Sequence, residues 1–125
     1  MSTSSSLKEV AINFLQLSAS GNVEEAYDLV APNFRHHNPY FASEAASLKA
    51  GMQENAHKNP NKLFQVQRAI AEDSFVAVHS RIQMQSTALA IAVVHIFRFE
   101  HGKIVELWDI GQPQPEQMTN EIGMF

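Results

Sequence analysis

The feature that most constrains the fold is a change of hydrophobic period at Pro60. Before this residue, apolar side chains recur every three to four positions, which is typical of helices. After it, they alternate with polar ones and are rich in β-branched and aromatic types, which is typical of strands. The pattern predicts an α+β domain whose N-terminal helices pack on one face of a curved antiparallel sheet.

Three helices are predicted in the first half of the chain. Ser6 and Glu9 form a capping box at the start of the first, and Asn22 is expected to cap the second, which Pro32 ends. The predicted helical ranges are 7–18, 23–30 and 43–56.

Four strands are predicted in the second half, over residues 64–70, 75–85, 89–100 and 103–111. Because they follow one another with short connections, an antiparallel meander is expected. Residues 1–125 are interpreted as a single domain with a polar N-terminal tail at 1–6 and a C-terminal tail at 113–125. The apolar side chains of the second tail are expected to dock on their own chain or on a neighbouring copy.

Composition excludes several classes of function. The chain has no cysteine, which rules out disulfide frameworks, thiolate zinc sites and cysteine nucleophiles. A net charge of −4 argues against binding to nucleic acid. The apolar run at 89–97 is about half the ~20 residues that a membrane helix needs, and no secretory pattern is present, so a cytoplasmic protein without membrane contact is expected. The histidines show no His-x-His or His-Glu-x-x-His spacing, so no metal is expected.

The turn within residues 97–104 (FRFEHGKI) decides which side chains share a face. A two-residue loop at His101-Gly102 would place Asp109 on the face opposite His95. A type I turn with a bulge at Gly102 would place the two on one face, diagonal to each other and about 7–8 Å apart at the backbone. The second register is favoured because the first needs a left-handed residue at His101 as well as at Gly102.

In the favoured register one face is an apolar wall that carries an imidazole and a carboxylate, and the other is more polar. The wall comprises Val93, His95, Phe97, Val105, Leu107 and Asp109, and the outer face holds Arg98, Glu106 and Trp108. An unpaired carboxylate on an apolar wall is costly as structure but suits a base that removes a proton next to a carbonyl. We therefore predict Asp109 as the base and His95 as the group that stabilises the enolate or returns a proton. The structural alternatives are a salt-bridged Asp109 at a strand end and a hydrogen-bonded core histidine at His95.

Other residues are candidates for contact with a ligand. His37 and Asn38 precede Pro39 in backbone that should be extended. The face of Arg68 or of His79 depends on strand register. The complete predicted ligand-binding set is His37, Asn38, Tyr40, Phe14, His79, Arg68 and Phe97, whereas His36, His57 and His101 are expected in solvated positions.

Three stretches carry a resemblance to a known family: His37-Asn38-Pro39, residues 97–104 and residues 106–112 (ELWDIGQ). With these the chain resembles the SnoaL-like members of the NTF2-like superfamily, which are α+β cones enclosing an apolar cavity. The resemblance implies that Asp109 is the acid/base residue of the polyketide-cyclase members, and that His95, fourteen positions earlier, is the second polar cavity residue. His101 departs from the acidic turn residue that is usual there.

The resemblance and the residues together lead to one expected function and one alternative. The first is a cofactor-independent acid/base enzyme that acts on a small hydrophobic carbonyl compound by aldol-type cyclisation, isomerisation or dehydration. The alternative is a noncatalytic module that binds a small ligand in the same cavity. The resemblance also implies a homodimer formed through the outer sheet face.

Overall fold

The computed structural model describes residues 4–125. In this part of the chain, all three helices precede the last four strands in the sequence, and one strand lies between the second and third helices. The helices are α1 (Ser4–Ala19), α2 (Val23–Tyr27) and α3 (Ala45–Lys58), and the strands are β1 (Val30–His36), β2 (Leu63–Glu72), β3 (Phe75–Gln83), β4 (Ile91–Glu100) and β5 (Lys103–Pro113). Among the described residues, none of the helices has the length and apolar character needed to cross a bilayer.

The helix boundaries differ from the predicted ones at their N-terminal ends. The first helix begins at Ser4, so Ser6 lies in its first turn and not at the cap. Residues 1–3 of the predicted polar tail lie outside the described part of the chain. Asn22 does hold the cap position of α2, but its side chain donates to the Ser20 hydroxyl and makes no capping hydrogen bond.

The sheet contains one strand that the sequence pattern did not reveal. Strands β2 to β5 form the predicted antiparallel meander, and β1 adds to it in parallel on the free edge of β5, giving the order β1-β5-β4-β3-β2. The sheet is therefore mixed. The prediction that a helix continues to Val30 and ends at Pro32 is wrong, because both residues lie in β1. Pro32 is compatible with this strand because an edge strand can tolerate the missing backbone donor.

The β4–β5 hairpin corrects the predicted turn but keeps the predicted faces. Glu100 pairs with Lys103, and both loop residues are left-handed, with φ of 51° at His101 and 77° at Gly102. This two-residue turn matches the natural twist of the strands, and histidine is among the residues that reach the left-handed region more readily.

A bulge that follows the turn restores the predicted orientation of the side chains in β5. Phe99 pairs with Ile104 and Arg98 pairs with Glu106, so Val105 is the extra residue. His95 and Asp109 consequently lie directly opposite each other on one face, and not diagonally as predicted.

The hydrophobic core fills one end of the space between α1 and the sheet. Phe14 and Phe97 are both fully buried there, with ring centroids 5.9 Å apart in an edge-on arrangement. The second half of α1 and the first half of β4 face a cavity instead, which leaves room for a ligand beside a closed core.

Candidate functional site

A cavity of about 680 Å³ lies between the sheet, the end of α1, helix α3 and the segment that follows β1. This volume is within the range of small-molecule sites. Its walls are mainly apolar, formed by Leu15, Leu48, Met52, Phe64, Ile82, Met84, Ile91 and Val93. The polar groups on its surface include Asn38, Asn55, Lys62, His95 and Asp109.

His95 and Asp109 face each other across the β4–β5 pair, and both line this cavity. Directly opposed residues on neighbouring strands have Cβ atoms about 4.5–5.5 Å apart, which is within reach of one substrate atom. Among the described residues, the Nδ1 atom of His95 is buried without a hydrogen-bond partner. Burial lowers the pKa of His95 to about 4, and the charge of Asp109 offsets only part of this effect. The imidazole is therefore neutral at pH 7.

Asp109 is partly buried, and its Oδ2 atom accepts a hydrogen bond of 2.9 Å from the Asn38 side-chain amide. The expectation of an unpaired carboxylate is corrected by this contact, because β1 and the segment after it bring Asn38 beside β5. The donor is neutral, so it orients the carboxylate without cancelling its charge.

Asn38 is held in place by its neighbours. Its Oδ1 atom accepts from the Tyr40 backbone N–H at 3.0 Å, and its own backbone N–H donates to Nδ1 of His36 at 3.1 Å. The Nε2 atom of His36 contacts the Ala42 carbonyl at 2.5 Å, so this ring donates at one nitrogen and accepts at the other. His36 was expected in a solvated position, but it is buried because alternation in β1 turns it inward.

The same alternation turns His37 away from the cavity, which corrects its predicted role in ligand contact. His37 Nε2 lies 2.6 Å from Glu106 Oε2, and the His37 ring stacks on Trp108 at 4.8 Å. The Arg98 guanidinium donates to the other oxygen of Glu106 at 3.0 Å. The His37 hydrogen bond, with the help of Arg98, holds the pKa of Glu106 below its usual value.

Four other predicted ligand-binding residues lie elsewhere. Arg68 and His79 bond to each other on the outer face, opposite the cavity. The C-terminal tail docks there on its own chain, since the Phe125 ring stacks on His79 at 5.9 Å. Phe14 and Phe97 belong to the core and not to the cavity lining. The structure thus brings together Asp109, His95, Asn38 and Tyr40 and separates them from the rest of the predicted set.

Two further residues of the cavity lining, Lys62 and Asn55, were not predicted from the sequence. The Lys62 ammonium donates a hydrogen bond to the Asn55 side-chain oxygen. One signal was available, because Asn55 lies seven residues after Leu48 and three after Met52, on the same helix stripe. A polar residue on an apolar stripe indicates a site as readily as a histidine on an apolar strand does. Within residues 4–125, no group of three or more histidine or acidic side chains is arranged to hold a metal ion.

Together, the fold and the site define a small NTF2-like α+β domain built around an apolar cavity with a carboxylate and a neutral imidazole on its wall. The chain belongs to the SnoaL-like domain family, whose model matches residues 11–107. Asp109 lies just beyond the matched stretch.

Solved structures of low sequence identity share the fold of this chain. AclR from Streptomyces galilaeus, described as a candidate hydroxylase, matches with a TM-score of 0.76 and 17% identity over 88% of this chain and 91% of its own. An NTF-2 like protein of unknown function from Burkholderia xenovorans matches with a TM-score of 0.74 and 19% identity, over 92% and 89% of the two chains. IdmH from Streptomyces antibioticus, described as a candidate polyketide cyclase, matches with a TM-score of 0.68 and 19% identity, over 84% and 91%. No curated protein matches the chain.

Proposed function

We propose that this protein is a cofactor-independent acid/base enzyme acting on a small hydrophobic carbonyl compound. The observation that carries the proposal is the direct opposition of Asp109 and His95 on the wall of an otherwise apolar cavity. A carboxylate for proton removal and a neutral donor for the developing oxygen charge are the two groups that enolate chemistry needs.

The reaction begins with transfer of a proton from the carbon next to the substrate carbonyl to the Asp109 carboxylate. The electron pair of the broken C–H bond moves toward the carbonyl oxygen, where the N–H of neutral His95 donates a hydrogen bond to the growing negative charge. Asn38 keeps the carboxylate oriented through its 2.9 Å hydrogen bond. The proton held by Asp109 then has one destination in each reaction. In cyclisation the enolate carbon attacks a second carbonyl and the resulting alkoxide takes the proton, and in isomerisation the proton goes to another carbon. In dehydration the β-hydroxyl group takes the proton and leaves as water.

The comparisons support this proposal at the level of reaction type. The description of IdmH as a candidate polyketide cyclase fits intramolecular aldol chemistry in a cavity of this kind. The alternative is ligand binding without turnover in the same cavity. It is favoured by one observation, since the described residues show no hydrogen bond between His95 and Asp109.

The test is solvent deuterium exchange into 2-tetralone, a hydrophobic ketone with acidic α-hydrogens, followed by proton NMR in deuterium oxide. We expect Asp109→Asn to lower the catalysed exchange rate by about 10²- to 10⁴-fold. Glu106→Gln is the matched control, because it removes the outer-face carboxylate of the same strand. Exchange that is unchanged in Asp109→Asn overturns the base assignment, and binding of 2-tetralone without exchange by the native protein supports the alternative.

We further propose that the outer sheet face pairs with a second copy of the chain. Ile70 and Ile110 are 66% and 62% exposed and lie on the same outer face as Trp108. Sedimentation of the native protein is expected to show a dimer that Ile110→Glu weakens. Gln16→Glu, on the exposed side of α1, is the control that should leave association unchanged, because it lies in the helical layer away from this face.

A further inference from the structure

Lys62 places an ammonium group on the wall of the cavity, next to β2 and three strands along the sheet from Asp109 on β5. Among the described residues that line the cavity, it is the one lysine or arginine. Its side chain is about half buried, and Nζ donates to Oδ1 of Asn55. No carboxylate of the described residues lies within ion-pair distance of it, whereas Lys49 and Lys58 each pair with a glutamate.

The position of Lys62 is determined by the turn between α3 and β2. The Lys62 backbone N–H donates to the Asn59 carbonyl at 3.1 Å, and the Asn59 side-chain amide donates to the Asn55 carbonyl at 3.0 Å. This turn fixes the backbone at Lys62, and the hydrogen bond to Asn55 Oδ1 holds its ammonium at the cavity wall.

A lysine in this position is unfavourable as structure alone. An ammonium removed from water without a counter-ion loses hydration that a neutral amide oxygen replaces only in part. The consequence is visible in the pKa of Lys62, which burial lowers from its usual value of 10.5. Two of the three N–H donors remain for another acceptor, because Asn55 takes one.

We propose that Lys62, supported by Asn55, forms an anion subsite in the cavity, so that the substrate is a hydrophobic carbonyl compound carrying an anionic oxygen group such as a carboxylate. This inference rests on the proposed function, since it assumes that the cavity binds a hydrophobic ligand.

The subsite also orients that ligand. Asp109 lies on β5 and Lys62 adjoins β2, so the sheet order places three inter-strand steps of about 4.8 Å between them. An anionic end is attracted to Lys62 and repelled by the Asp109 carboxylate. The uncharged carbonyl end is therefore left beside Asp109 and His95, where the proton transfer takes place.

The test uses two fluorescent probes with one skeleton, 8-anilino-1-naphthalenesulfonate and the uncharged N-phenyl-1-naphthylamine, titrated against the native protein and Lys62→Met. We expect the native protein to bind the sulfonate more tightly than the amine. Lys62→Met should weaken sulfonate binding by about tenfold or more, because a charge-assisted hydrogen bond is lost, and should leave amine binding unchanged. Lys62→Arg, which keeps the charge, should retain most of the preference.

Lys58→Met is the matched control, since it removes the same charge from an exposed, glutamate-paired lysine four residues away. Near-ultraviolet circular dichroism of each variant separates a lost subsite from a loosened core, which would itself bind the sulfonate. Equal binding of the two probes that Lys62→Met does not alter overturns the subsite and leaves the proposed function standing. Failure of the native protein to bind either probe overturns the hydrophobic ligand site, and the subsite with it.

Discussion

Each face of the β4–β5 pair has a histidine next to a carboxylate. The two groups are hydrogen-bonded to each other on the outer face but not on the inner face. On the outer face, His37 bonds to Glu106 at 2.6 Å, and Arg98 takes the second oxygen of that carboxylate. On the inner face, His95 opposes Asp109, but its Nδ1 atom has no partner among the described residues. A histidine and a carboxylate therefore do not define a site by their proximity.

The difference lies in what each pair leaves unsatisfied. The outer carboxylate is neutralised by Arg98 and its histidine is partly exposed, so further ligand contacts would gain little there. On the inner face, Asp109 accepts only from the neutral Asn38 amide among the described residues, and His95 lines an apolar cavity. A new hydrogen bond to a ligand in this cavity is stronger than the same bond in water. The unsatisfied face is the one suited to a substrate.

After Asp109→Asn, the largest expected effect comes from replacing each of the two histidines, one at a time, with glutamine. His95→Gln should lower the rate of deuterium exchange into 2-tetralone by about 10²-fold, because the donor to the developing oxygen charge is displaced. His37→Gln should change this rate by less than about threefold, since His37 lies outside the cavity. Equal losses in the two variants would show that the inner and outer faces do not differ in function.

The second-largest difference between the faces is expected in the pH dependence of the free energy of unfolding, to which buried His95 contributes. The pKa of His95 is about 4 in the folded state against 6.5 when unperturbed, so the unfolded state binds a proton first as the pH falls. His95 therefore costs nothing above about pH 6.5 and progressively destabilises the fold between about pH 6.5 and pH 4. Between pH 7.5 and pH 5 the loss in free energy of unfolding should be about 2 kcal/mol.

Urea unfolding of the native protein and of His95→Phe at these two pH values measures this loss. The variant should lack about 2 kcal/mol of the native pH dependence, because phenylalanine cannot be protonated. His57→Gln, on the exposed side of α3, is the control that should keep the native slope. Parallel slopes for all three proteins would contradict the buried, neutral state of His95.

The contrast between the faces was only partly predictable from the sequence. Alternation along β4 and β5 correctly placed His95 and Asp109 inward and Glu106 and Trp108 outward, because period-2 burial is a local property of each strand. The predicted turn type was wrong. The predicted faces are nevertheless correct, because the bulge at Val105 shifts the pairing by one residue after the turn. A bulge depends on packing across strands, for which the sequence of one strand carries no signal.

The contribution of β1 could not be predicted for a related reason. The apolar residues around Val30 fit a helical period as well as a short edge strand, and Pro32 suggested a helix end. Parallel pairing with β5, which is distant in sequence, decides between the two. The positions of His36, His37 and Asn38 all follow from β1. Because this strand was not predicted, His36 and His37 were assigned to the wrong surroundings and only Asn38 was placed correctly at the cavity.

A smaller effect is expected from Asn38, which orients the inner carboxylate. Asn38→Ala removes the hydrogen bond to Asp109 and should lower exchange into 2-tetralone by about tenfold. Binding of N-phenyl-1-naphthylamine should stay the same, since the apolar walls are retained. A loss of binding in step with the loss of rate would instead indicate that Asn38 shapes the cavity and does not position the base.

The smallest expected effect is on the free energy of unfolding, and it concerns an aromatic side chain on the cavity side. Trp108 stacks on His37 on the outer face. On the inner side, the ring of Phe41 lines the cavity and lies against Gly51, where a Cβ atom would be 2.5 Å from two ring atoms. Glycine inside a helix costs about 1 kcal/mol relative to alanine, so its presence in α3 indicates that the ring uses the space. Because Phe41 is 41% exposed, the ring can swing aside when a methyl group is added.

Gly51→Ala should therefore change the free energy of unfolding by less than about 0.5 kcal/mol, the helix gain and the ring displacement offsetting each other. In a Phe41→Ala background the same substitution should stabilise the fold by about 1 kcal/mol, because no ring has to move. Urea unfolding of the two single variants and the double variant measures the coupling. Equal stabilisation in both backgrounds would show that Phe41 does not occupy the space above Gly51.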